Sequence, residues 1–96
     1  GSEGIPGWQA HAAERQIEAG LLYRQNAAMW DNDAQGLMRE GRYAEAVQVY
    51  QNALRRNPYS TYSATLYNNL GKAYEALGQW PLAMVCYQYA MRIQPD

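Results

Sequence analysis

Apolar residues in the second half of the chain recur with gaps of three and four. Leu66, Tyr67, Leu70, Tyr74 and Leu77 share one face of a helix expected over residues 64–77. Gly78 follows the last of them, where a helix end takes a left-handed residue. Pro81 suits the first turn of a second helix, where its missing donor costs nothing. Leu82, Val85 and Tyr89, with Met84, Tyr87 and Met91, carry the apolar pattern onward. Pro95 ends that helix and disfavours helical geometry at Gln94.

Thirty-seven residues earlier much of this pattern recurs, as Trp30, Ala34, Leu37, Gly41, Tyr43, Ala46, Tyr50, Ala53 and Pro58. A repeat of this period means stacked similar units. Each unit is expected to be a helix, a short turn and an antiparallel helix, the first pair over residues 27–40 and 43–56. Gly71 and Ala83 lie twelve apart, as do Ala34 and Ala46. Minimal side chains at the crossing let two helices approach below the usual ~8–10 Å. Tyr67 with Tyr87, and Trp30 with Tyr50, then fill the space beside it. Trp80 and Tyr74 have core spacing too, whereas Tyr59 and Tyr62 fall in the linker, where Ser60, Thr61 and Ser63 are N-cap candidates.

The second copy resembles a tetratricopeptide repeat, with Tyr67, Leu70-Gly71, Tyr74, Ala83, Tyr87, Ala90 and Pro95 in register. The first copy fits at Trp30, Ala34, Ala46, Tyr50, Ala53 and Pro58. It departs at Asp33, where the family has Leu, and at Leu37, where it has Tyr. The three residues beyond the family's period fall in 59–63. The fold implied is all-α: an α-solenoid of two antiparallel helix-turn-helix units preceded by an extra N-terminal helix. The divisions expected are a tail over 1–7, a capping helix over 8–26, the first repeat with its linker over 27–63 and the second repeat over 64–96.

Residues 8–25 are rich in helix formers, with Ile17, Leu21 and Leu22 as a short apolar stripe. This helix is expected to cover the open side of the first repeat, as terminal units of repeat arrays require, and either to break or bend near Asn26, the favoured course, or to run on through it as one long helix. At the other end Met84 and Met91 correspond to Val47 and Leu54 but have no following unit to pack on. Two readings stay open. The chain is a fragment of a longer array, which ranks first, or it forms a homodimer through this uncapped C-terminal end.

Composition narrows the chemistry. The 96 residues make one domain; 18% are charged and the net charge is −1. No basic patch of the kind nucleic acid requires is present, and Arg55-Arg56 suits the dipole of a helix end. No apolar run reaches the ~20 residues of a membrane span. One Cys and one His supply neither a disulfide nor a metal-ligand set. His11 and Glu14 form a surface pair, not an acid–base unit. No cofactor, no metal and no catalysis are expected.

By the resemblance, the first helices of each repeat line a concave groove that binds a peptide segment of a partner protein. Its candidate residues are Asn32, Gln35, Arg39, Asn68, Asn69 and Lys72, with Asp31, Thr65 and Glu75 beside them. Helical spacing independently places these opposite or beside the apolar stripe, in water. An amide offers donors and an acceptor to an extended backbone. Some family members hold acidic chaperone tails through paired Lys and Asn. Asn69 matches one such place, but Asp31 stands where Lys is required and Gln35 where a second Asn is, so binding of an acidic tail is not expected. The alternative function is structural, as an assembly segment of a larger multi-repeat protein, with Met84 and Met91 as its surface.

Overall fold

The computed structural model describes residues 6–58 and 60–95. Four helices follow one another: α1 Gly7–Arg39, α2 Tyr43–Arg56, α3 Thr61–Ala76 and α4 Trp80–Ile93. They form two hairpins, α1 with α2 and α3 with α4, and the hairpins stack through α2 on α3 and α1 on α3. Of the tail expected over 1–7, residues 1–5 lie outside the described residues, as do Tyr59 of the linker and Asp96.

Both hairpin turns use the same device. Gly41 and Gly78, thirty-seven apart, adopt φ of 76° and 73°. The amides of Arg42 and Gln79 reach back to the carbonyls of Leu37 and Tyr74 at 2.9 and 2.8 Å. These bonds satisfy carbonyls that a helix end leaves orphaned, and only glycine takes the left-handed turn without a Cβ penalty. Between the hairpins, Ser60 caps α3 by accepting from the Ser63 amide at 3.2 Å. The helix therefore begins three residues before the expected start at 64.

Where a break or bend was expected near Asn26, α1 runs as one unbroken helix of 33 residues. No proline lies between Pro6 and Pro58, and residues 21–29 offer only side chains a helix tolerates. Continuity places Tyr23 against the end of α2. Its hydroxyl donates to Asn57 O at 3.0 Å and lies 3.4 Å from both Ala53 O and Ser63 Oγ. Since Tyr23 meets the last turn of α2, the preceding part of α1 projects past its partner. Ile17, Leu21 and Leu22 are exposed there. The cover expected of this stripe is not found among the described residues.

The core is one cluster that includes Ala27, Ala34, Ala46, Val47, Tyr50, Leu54, Leu66, Leu70, Ala73, Ala83 and Cys86. Tyr50 and Tyr74 are buried; Tyr67 and Tyr87 pack half-buried against the cluster. Trp80 departs from the expected core set and is exposed. It occupies the first turn of α4, on the side that no further helix covers.

Candidate functional site

α1 and α3 run side by side on one flank of the molecule. At about 100° per residue, Arg24, Ala28, Gln35 and Arg39 fall within an arc of about 60° on α1. Gln35, Arg39, Asn69 and Lys72 meet, with Met38 and Tyr50, around one hollow of about 220 Å³. Four of the six expected groove residues are thus brought together. Asn32 and Asn68 are exposed and do not line it.

Asp31 was expected among the water-facing groove residues and is instead buried, with 6% of its surface exposed. Its Oδ1 accepts from the Tyr50 hydroxyl at 2.8 Å and from Asn69 Nδ2 at 2.9 Å; its Oδ2 accepts from Gln35 Nε2 at 3.2 Å. Two of these donors come from α2 and α3, so periodicity within α1 alone could not reveal the burial. A signal was nevertheless present: Asp31 lies three residues before Ala34, the small residue expected at the crossing with α2. A buried carboxylate persists where donors surround it. Burial first, and then this bond to Asp31, push the Tyr50 phenol well above its ordinary value.

Glu75 also leaves the expected set. It is half-buried and accepts the Tyr87 hydroxyl at 2.6 Å. Thr65 lines a second, wider hollow of about 460 Å³ with Gly20, Tyr23, Arg24, Ser60, Thr61, Tyr62 and Gln94. Arg24, which the sequence reading did not single out, and Tyr62, which it placed in the linker, both line this hollow. They join because α1 continues past Asn26.

The electrostatics of the flank follow from these placements. The carboxylate expected to repel an acidic tail holds three donors beneath the surface. Arg39 and Lys72, at the mouth of the smaller hollow, make no ion pair among the described residues. Arg42, by contrast, is engaged by Glu40 and Glu45. Asp31 keeps its charge, because its three donors are neutral side chains; Arg39 and Lys72 lie beside them at the same hollow.

Other candidate chemistry is absent from this flank. Cys86 is buried, and burial pushes its thiol up to about 11, which suppresses the reactive thiolate. His11 lies 3.7 Å from Glu14, both exposed. No group of three metal-ligating side chains converges, and no helix is long and apolar enough to cross a membrane, among the described residues. Met84 and Met91 are exposed on α4.

A tetratricopeptide repeat family model matches residues 25–96. Among curated proteins, the chain is 37% identical over 57 residues to mouse protein O-mannosyl-transferase TMTC2, covering 59% of the chain and 7% of that protein. It is 38% identical over 60 residues to bovine and human intraflagellar transport protein 70A, covering 62% of the chain and 9% of those proteins. The matched segment spans less than a tenth of each relative.

Proposed function

Because the chain belongs to the tetratricopeptide repeat family, whose repeats mediate protein–protein interaction, we propose that it binds an extended peptide segment of a partner along the α1–α3 trough. Acidic side chains of that segment would be held at the trough's cationic ends. Arg24 and Arg39 are fifteen residues apart on one flank of α1, which spans about 22 Å. At ~3.3 Å per residue, that is about seven residues of extended chain. Arg24 marks one end, and Arg39 with Lys72 marks the other. Amides and hydroxyls of Gln35, Asn69, Tyr62 and Thr65 lie between and can pair with a peptide backbone whatever its sequence.

The observation that carries this reading is the convergence of Gln35, Arg39, Asn69 and Lys72 on one hollow in which the two cations form no ion pair among the described residues. Asp31 beneath it already accepts from three donors.

Calorimetry with short extended peptides of equal length tests it. Peptides with acidic residues about seven apart should bind, with affinity falling as salt rises. The same peptides carrying Lys at those places should not. Arg39→Ala and Lys72→Ala should each weaken binding by about 0.5–1 kcal/mol, the scale of an exposed charge contact. Equal affinity for acidic and basic peptides would sink the proposal.

A further inference from the structure

Among the described residues, Asp31 is the one charged side chain that is buried. It ties three helices together: Tyr50 of α2 and Asn69 of α3 donate to its Oδ1, and Gln35 of α1 donates to its Oδ2. An ionised carboxylate only accepts hydrogen bonds, whereas an amide side chain has a donating end and an accepting end. Asp31 therefore draws the nitrogen of both amides to itself. The carbonyl oxygen of each is the end left over, and both residues line the hollow that opens on the trough. Gln35 is exposed there and Asn69 is half-buried. No buried side-chain nitrogen or oxygen among the described residues lacks a partner. The Asn69 Oδ1, which accepts no hydrogen bond from the described residues, is accordingly open to solvent.

We propose that Asp31 is a positioning residue for peptide recognition: it turns the carbonyl oxygens of Gln35 and Asn69 toward the trough, so that this stretch reads backbone N–H groups of the bound segment. The inference rests on the α1–α3 trough being the peptide site and sharpens what the two amides do there. An amide free to rotate pairs with a backbone N–H or C=O alike. Held by the carboxylate, each offers an acceptor. An extended segment carries the N–H groups of alternate residues on one edge, and its acidic side chains remain free for Arg39 and Lys72. Asp31→Asn would expose this role with hardly any change of volume. The substituted side chain keeps one oxygen, which still accepts from Tyr50 and Asn69. Its other end becomes a donor facing Gln35, whose amide has to reverse and turn its nitrogen to the trough. One acceptor of the pair is thereby replaced by a donor.

Two measurements test it. In the free protein, nuclear magnetic resonance should find the side-chain amide protons of Gln35 and Asn69 exchanging with water more slowly than those of Asn32 and Asn68, which are exposed. In Asp31→Asn the Gln35 protons should lose that protection and the Asn69 protons keep it. Calorimetry then uses the acidic peptides that bind the trough, with each backbone amide replaced in turn by an ester, which removes the N–H and keeps the shape of the chain. In wild type, two replacements should each weaken binding by about threefold to tenfold, the scale of one hydrogen bond. In Asp31→Asn one of the two should cease to matter and the other persist. Tyr87→Phe, which removes a hydroxyl–carboxylate bond in the other repeat, controls for lost stability and should leave both effects in place. Should Asp31→Asn not fold, the wild-type exchange rates and ester series decide alone. Acidic peptides that bind without any ester-sensitive position overturn the positioning role and leave the peptide reading standing. So do an ester series unchanged in a folded Asp31→Asn variant and amide protons as fast as those of Asn32 and Asn68. Acidic peptides that do not bind overturn both.

Discussion

Tyr50 and Tyr87 occupy the same place in the two repeats, yet their hydroxyls go opposite ways. Tyr50 reaches Asp31, one turn before Ala34. Tyr87 reaches Glu75, one turn after Gly71. The difference follows from the small residue each ring passes. At Gly71 an added Cβ would lie 2.6 Å from Cε1 and 2.9 Å from Cζ of Tyr87, so the ring lies across bare backbone; at Ala34 a Cβ is present. Gly71→Ala tests this. Helix propensity favours alanine by about 1 kcal/mol. Against that stand overpacking, about 1–3 kcal/mol, and loss of a hydrogen bond to a carboxylate, about 1.5–3 kcal/mol. The net expectation is a loss of about 1 kcal/mol or more in urea unfolding. In a Tyr87→Phe background the loss should shrink, because the bond to Glu75 is already gone. A Gly71→Ala variant as stable as wild type would mean that the ring is not held where Glu75 places it.

At the scale of the helix, local signals carried most of the boundaries. The span of α2 coincides with the expected 43–56 because Gly41, Arg55-Arg56 and Pro58 punctuate it at both ends. Gly78 and Pro81 did the same for the α3–α4 turn. The path of α1 was less legible, since a junction without proline or cap permits both continuation and a break. What settles it is tertiary: Tyr23 has the end of α2 to grip only if α1 continues through Asn26. Asp31 was misread for a related reason. One helix's periodicity reports how polar a side is, but the residues that bury Asp31 belong to other helices. Tyr23→Phe isolates the tertiary contribution. It removes the donor to Asn57 O while keeping the ring, which packs edge-on to Trp30 at 6.2 Å between centroids. A loss of about 1 kcal/mol is expected, with helicity unchanged by circular dichroism. No change in the thermal midpoint would assign the closure of the linker to Ser60 and Ser63 alone.

The whole molecule measures 57 × 25 × 18 Å, and the long dimension matches its longest helix, since 33 residues rise about 50 Å. Stability along that length cannot be uniform. From Tyr23 onward α1 has α2 and α3 beside it; before Tyr23 it makes no long-range hydrogen bond among the described residues, and Trp8, Ile17, Leu21 and Leu22 are exposed. An isolated helix of under about 15 residues is marginal in water. This arm escapes the cost of nucleation because the packed half supplies the nucleus, but each added turn contributes little, and Gly20 subtracts about 1 kcal/mol. Hydrogen exchange at low concentration should therefore show protection falling steadily from Ala27 towards Gly7, with the arm opening far below the global unfolding energy. Deletion of residues 1–21 should leave the thermal midpoint nearly unchanged, whereas deletion of 1–24 should lower it, because it takes Tyr23 as well. If removing 1–21 cost as much as removing 1–24, the arm would hold the fold through contacts of its own, and Tyr23 would not mark the point at which stability begins.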